Sequence, residues 1–273
     1  MLLLVCGFVF GITVGSFLNV VIFRLPPLLE YNWSKDCSEH LEIGFDKKKP
    51  EGLVVARSKC PKCQQQIPGW YNIPLIGFLI LRGKCVGCKQ RISFRYPAIE
   101  LLTGVLTTLI VYYYGFTLQA LSLVLLTWML IVIAFIDLDT FLLPDQLSLS
   151  LLWLGLFFSL FDFSLAPSDA VIGALVGYLS LWLLFHIFKI ITGKEGMGYG
   201  DFKLLAAAGA WLGAPALLPV VIIASVSGLL LAIVQLLLGR GQAKIPFGPY
   251  LAIGIWVMAI FEKQLTILFF PYL

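Results

Sequence analysis

The stretch Gly196-Met-Gly-Tyr-Gly-Asp-Phe-Lys-Leu-Leu-Ala-Ala-Ala-Gly-Ala-Trp-Leu-Gly213 decides how the rest of the chain is read. Glycines stand at 196, 198 and 200, Asp201 follows, and an apolar run begins. The flanking segments are hydrophobic enough to cross a membrane. An ionisable residue at the end of a membrane helix is costly, which makes it a functional candidate. Asp is also a good N-cap, so Asp201 alone leaves capping and chemistry equally open. A second acidic cluster, Ile136-Asp-Leu-Asp-Thr-Phe-Leu-Leu-Pro-Asp145, also lies between apolar runs. Two aspartates, each at the mouth of a membrane helix, can form one catalytic dyad.

Of the 273 residues 60% are hydrophobic and 12% charged, against about 25% charged in soluble domains. The chain is therefore read as an all-α polytopic membrane protein. Apolar segments near 2–23, 98–114, 118–136, 147–161, 169–191, 203–213, 217–238 and 247–270 give about eight transmembrane helices. The 203–213 segment is shorter than the roughly 20 residues a span needs, so it either extends or sits inside the bundle. The first segment has no basic n-region and no small-residue cleavage site, and is expected to be a retained span. No internal repeat is evident.

Charge placement orients the chain. Thirteen of the 19 Lys and Arg lie between Arg24 and Arg95. Lys189, Lys194, Lys203, Arg240 and Lys244 fall on the same side if there are eight spans, and only Lys263 is left over. By the positive-inside rule, residues 24–97 are expected in the cytosol. Asp137, Asp139, Asp145 and Asp201 then share that face. Three domains follow: a first transmembrane helix over 1–23, a polar insert over 24–97, and a membrane domain over 98–273. Trp70, Tyr71, Tyr112, Tyr113, Tyr114 and Tyr250 stand near predicted boundaries and fit an interfacial belt, and the small residues of 173–177 and 206–210 suit close helix packing. Pro246, Gly248 and Pro249 are expected to kink the start of the last helix.

Within the insert, Cys60-Pro-Lys-Cys63 and Cys85-Val-Gly-Cys88 give C-x2-C-x21-C-x2-C. Each pair can turn two sulfurs toward one ion, and the two pairs complete a tetrahedral shell, the structural zinc pattern. A disulfide reading is weaker in a reducing cytosol. Four thiolates leave no open position, so the metal is expected to be structural, and a domain this small depends on it to fold. Cys6 is expected to pack within the first span, and Cys37 and His40 to lie in a solvated loop.

Peptide hydrolysis by two carboxylates needs one ionised, to take a proton from water, and one protonated, to polarise the carbonyl. Two like charges a few ångströms apart share a proton and titrate as a pair. The glycines before Asp201 allow close approach of a substrate backbone. A phosphate-loop reading of G-x-G-x-G lacks the preceding strand it requires.

Gly198-Tyr-Gly-Asp201 resembles the G-x-G-D motif of intramembrane aspartyl proteases. With Lys203 to Gly213 following, the stretch resembles the bacterial type IV prepilin peptidases. Gly15-Ser-Phe-Leu-Asn-Val-Val-Ile-Phe-Arg-Leu-Pro26, the cysteine pairs and Ser93-Phe-Arg-Tyr-Pro-Ala-Ile-Glu100 resemble that family in the same order; residues 27–59 do not. The resemblance implies an aspartic endopeptidase and N-methyltransferase of the bacterial inner membrane. It would cleave the basic leader of type IV prepilins or type II secretion pseudopilins, then methylate the new N-terminus with S-adenosylmethionine. It implies Asp137, before Leu-x4-Leu-Pro, and Asp201 as the catalytic pair. Asp139 and Asp145 remain alternatives, and Lys203 is read as either tuning Asp201 or anchoring at the interface. Prepilins carry a charged leader and then an apolar helix, so lipid and prepilin are the partners expected, and nucleic acid is not.

The methyl-transfer site is less marked, since no glycine-rich nucleotide loop follows a strand. Asn19, Arg24, Arg95, Tyr96 and Glu100 are the polar groups nearest the junction of insert and membrane, and Gly83 allows backbone approach. Each is equally read as a cap, turn or anchor. The rival readings are a peptidase alone, a transporter using its acidic residues for protons or cations, and a non-catalytic scaffold with a zinc hook.

Overall fold

The computed structural model describes residues 1–53, 59–60, 62–161, 163, 165–239 and 245–269, the last eight of these as backbone only. Arg57, Pro61, Arg240, Lys244 and the Lys263 side chain, which enter the sequence reading, lie outside what is described. The regular elements among the described residues are helices, with two isolated β-bridges, and much of the insert between residues 41 and 94 is irregular chain. They form two compact units, Met1–Phe116 and Thr117–Leu273.

In the first unit α1 runs from Leu2 to His40, through Pro26 and Pro27. The helix therefore continues well past the predicted exit at residue 23. Cys37 and His40 lie on its last turns and not in a loop, and Cys6 is exposed rather than packed. A 3-10 turn at Gly69–Asn72 and the short α2 at Ile76–Ile80 follow. The next long helix, α3, spans Arg95–Tyr114. It packs along α1 through small residues one helical turn apart. A Cβ on Gly11 would stand 2.8 Å from the Gly104 Cα, and one on Gly15 2.9 Å from the Glu100 Cα. This Gly7-Gly11-Gly15 spacing is a small-residue seam of the kind that lets membrane helices approach, and the sequence reading passed over it.

In the second unit α4 (Leu118–Thr140), α5 (Asp145–Phe158), α6 (Pro167–Thr192), α7 (Tyr199–Leu212), α8 (Leu217–Leu237) and α9 (Gly248–Phe269) follow in turn. α7 is the centre. Ten of its 14 residues are buried, and at about 1.5 Å per residue it is only about 21 Å long. It sits among α5, α6 and α9, which is the inside-the-bundle alternative for 203–213. The alanines and glycine of 206–210 make this possible: the Gly173 and Gly209 backbones touch, so a Cβ on either would collide with the other's carbonyl. Trp211 Nε1 donates to the Leu151 carbonyl of α5 at 2.9 Å, and Trp256 Nε1 of α9 donates to Thr127 Oγ1 of α4 at 3.0 Å. α9 breaks at Phe261, with φ −112° and ψ 24°.

Five helices among the described residues, α1, α3, α4, α6 and α8, are long and apolar enough to cross a membrane. Asp145–Phe158 and Gly248–Phe261 are apolar but shorter. Of the eight crossings expected, five are supported by helices with the length and composition of a span among the described residues.

Candidate active site

α4 ends where its sequence changes character. Phe141 adopts the left-handed conformation (φ 55°), and its N–H closes the helix on the Asp137 carbonyl at 2.9 Å. Leu143 and Pro144 then extend the chain, since a residue before proline disfavours helical geometry. Asp137 therefore sits in the last turn of α4, 4% exposed. α7 begins at Tyr199 behind Gly198, so Asp201 is the third residue of the helix and not its cap. It is 7% exposed.

The fold brings the two carboxylates together, close enough to interact electrostatically. Each is also held by a glycine backbone N–H. Gly248, at the start of α9, donates to Asp137 Oδ2 at 3.0 Å. Gly198 donates to the Asp201 carboxylate. Glycine is required where these backbones approach. A Cβ on Gly248 would lie 2.6 Å from Asp137 Oδ2, and one on Gly200 would lie 2.6 Å from the Leu143 Cβ. Leu143 is therefore wedged between Gly200 and Gly248. Two buried carboxylates that feel each other's charge, each oriented by a backbone donor, can divide the roles of acid and base.

The other two acids differ. Asp139 is exposed. Asp145 is the first residue of α5 and accepts from Lys203 Nζ at 2.6 Å. Lys203 is thus paired with Asp145, which neither sequence alternative for it foresaw. His186 bonds the Trp182 carbonyl through Nδ1 at 2.9 Å, as a satisfied helix histidine does.

In the first unit the sulfurs of Cys60, Cys63, Cys85 and Cys88 lie within 4.8 Å of one another. Cys60–Cys88 and Cys63–Cys85 are 3.8 and 3.9 Å apart. A tetrahedral shell with Zn–S bonds of about 2.3 Å has sulfur edges of about 3.8 Å, so the four residues fit such an ion. The two halves are copies of one turn. Cys60 N–H bonds Gln65 O and Cys85 N–H bonds Gln90 O. Gln64 and Lys89 take the left-handed conformation, with φ 57° and 56°. Bridges join Lys59 to Gln66 and Lys84 to Arg91. The sequence carries the repeat, Lys59-Cys-x2-Cys-x-Gln-x-Ile67 against Lys84-Cys-x2-Cys-x-Gln-x-Ile92, correcting the expectation of none. Backbone N–H groups of Cys63 and Lys62 aimed at the Cys60 sulfur lower that thiol to about 6, which favours the thiolate a metal needs.

A cavity of about 800 Å³ lies beside this cluster, lined by α1, the insert and the start of α3. Asn19, Arg24, Tyr96 and Glu100 all line it; Gly83 and Arg95 do not. Asn19 donates to the Tyr96 carbonyl at 3.1 Å. Arg24 and Lys59 both pair with Glu51, at 3.4 and 2.7 Å, and the Lys59 hydrogen bond holds the Glu51 carboxyl below its usual range. Glu100 is 8% exposed and accepts the Leu75 N–H at 2.8 Å. Gly83 is a turn glycine with φ 66°, its carbonyl bonded to Ile92 N–H at 2.7 Å. The sequence reading missed Leu143, Glu51 and the role of Gly248, because their contacts come from residues far away in the chain.

The pattern described as the bacterial peptidase A24 N-terminal domain matches residues 9–114, and that of the type IV leader peptidase family matches 124–233. A prepilin leader peptidase/N-methyltransferase of Stutzerimonas stutzeri is 46% identical over 96% of this chain and 91% of its own length. The chain belongs to the type IV leader peptidase family. Relatives with the same description in Pseudomonas aeruginosa and Aeromonas hydrophila are 44% and 49% identical, covering 96% and 95% of this chain and 91% of theirs. No solved structure gives a significant match. The two matched patterns fall one in each compact unit, the first with the cysteine cluster and cavity, the second with Asp137 and Asp201.

Proposed function

We propose that this chain removes the basic leader from type IV prepilins or type II secretion pseudopilins with Asp137 and Asp201, then methylates the new N-terminal amine. It is an aspartic endopeptidase and an N-methyltransferase. The observation that carries the peptidase is the meeting of two buried carboxylates 64 residues apart in sequence (201 minus 137). One takes a proton from water while the other donates to the scissile carbonyl, and the Gly248 and Gly198 N–H groups hold them in place.

The methyl-transfer reading rests on the cavity of the first unit, with Asn19, Arg24, Tyr96 and Glu100 on its walls. Gly83 and Arg95 act from beside it. S-adenosylmethionine would supply an electrophilic methyl group there, and the chain's part is to hold and orient an amine against it. Zinc held by Cys60, Cys63, Cys85 and Cys88 is structural. The domain division is a first membrane helix over 1–23, a zinc-binding and methyl-transfer insert over 24–97, and a membrane peptidase over 98–273. All eight long helices cross or enter the bacterial inner membrane, with the insert and both aspartates on the cytosolic side, as the charge distribution supports.

The test is cleavage of a prepilin in membranes by wild type, Asp137→Asn, Asp201→Asn and Asp139→Asn. The first two variants lose cleavage and the third keeps it. Normal cleavage by Asp137→Asn overturns the pair, and normal cleavage by all three overturns the protease.

A further inference from the structure

Among the charged groups around the cavity of the first unit, Glu100 differs from the rest. Arg24 from α1 and Lys59 from the insert are both engaged by Glu51, while Lys62 and Arg91 are exposed insert cations on its wall. Glu100 projects from α3 and is buried. Its partners are the Leu75 N–H, at 2.8 Å, and the Ser16 hydroxyl. Among the described residues no cation pairs with it. Leu75 itself has φ 60°, a conformation costly for a bulky residue, and in it the Leu75 N–H reaches Glu100. Tyr96, one turn earlier on the same helix, lines the same wall.

A buried carboxylate held only by neutral donors is costly, and the ligand that best offsets the cost is a cation with its own hydrogens. We propose that Glu100 is the seat of the substrate's α-ammonium group and the base that takes its proton before methyl transfer. This rests on the methyltransferase reading above.

The step balances. The ammonium gives one proton to the Glu100 carboxylate, leaving a neutral amine and a carboxylic acid. The amine lone pair forms the new N–C bond as the methyl–sulfur bond breaks, and that bond's electron pair stays on sulfur. The product is a methylated ammonium, and Glu100 returns its proton to water when the product leaves.

The experiment uses the full-length protein and a peptide with the sequence of a cleaved pilin N-terminus, with free or acetylated amine. Binding is first measured without methyl donor. Wild type binds the free amine at least tenfold more tightly than the acetylated peptide, and Glu100→Gln loses this preference. Gln keeps an acceptor for the Leu75 N–H, and prepilin cleavage by the variant reports that the protein is folded. Methylation is then followed from pH 6.5 to 9. An α-amine of pKa about 7.7–8.0 is only about one part in twenty neutral at pH 6.5. The variant is therefore slowed about twentyfold at pH 6.5 and to within about twofold at pH 9. Equal binding of both peptides by wild type, or a pH-independent loss in Glu100→Gln, overturns the proposal while methylation by wild type persists. If wild type transfers no methyl group at any pH, the methyltransferase reading fails instead. Should Glu100→Gln not fold, Glu100→Asp is used: the ammonium preference and low-pH activity survive in part if the proposal holds, and a variant that methylates as wild type without that preference overturns it.

Discussion

The backbone N–H of Gly248 donates to Oδ2 of Asp137 at 3.0 Å, across 111 positions of sequence. The first residue of α9 thus fixes the carboxylate at the end of α4. Because a Cβ at Gly248 would stand 2.6 Å from that oxygen, Gly248→Ala must move either the helix or the acid. Cleavage by Gly248→Ala is expected to fall by about 10²-fold or more, the scale of a lost acid–base group, with expression and thermal stability near wild type. A prepilin cleavage assay beside a melting curve checks both halves.

Leu143 separates Gly200 from Gly248. Gly200→Ala brings a methyl to 2.6 Å from the Leu143 Cβ and is expected to impair cleavage. Leu143→Gly removes the obstructing Cβ together with the branch beyond it, so the double variant recovers cleavage relative to Gly200→Ala alone. A double variant worse than both singles would show that Leu143 is needed for something other than spacing.

The Gly173–Gly209 backbone contact binds α6 to α7. Gly209→Ala is expected to cost about 1–3 kcal/mol, as overpacking does, and to lower the melting temperature in detergent. Gly44→Ala, at a position with open space and no left-handed φ, is expected to cost less. A reversal of that order in thermal melts would place the crowding elsewhere.

Lys203 and Asp145 form a half-exposed pair, with side chains 27% and 55% accessible. Such pairs contribute about 0.2–1 kcal/mol. Lys203→Met is expected to leave stability nearly unchanged, and the swap Lys203→Asp with Asp145→Lys to cleave more like wild type than either single change. Cleavage assays of the three variants read this out.

The cysteine cluster belongs to one unit and the aspartates to the other. Chelation, or Cys60→Ser with Cys88→Ser, is expected to release one metal ion per chain and abolish methyl transfer. Cleavage is expected to fall far less, provided the leader is still presented. Metal content by elemental analysis, with both activities measured on one preparation, tests this.

The sequence carried the local features. The apolar runs marked all eight long helices, because an apolar helix must satisfy its own backbone within the membrane. The cysteine spacing foresaw the cluster, because each pair needs only one tight turn. The acids stood out because charge among apolar residues is costly. Less of the site's detail was legible. Asp201 was weighed as a cap and is instead the third residue of α7. Nor does the end of the apolar run at Phe23 reveal that α1 continues helically to His40.

By itself, then, the sequence determined a helical chain with several apolar membrane-length segments, its four-cysteine cluster and the acids that interrupt the apolar runs. Only the tertiary structure decided which acids interact, that Lys203 neutralises Asp145, that glycine N–H groups hold the two buried carboxylates, and that Glu100 lines a cavity with no cation paired to it among the described residues. Those facts depend on contacts between residues far apart in the chain. Their geometry is set by how closely glycine and alanine let the helices pack, and no local pattern encodes it.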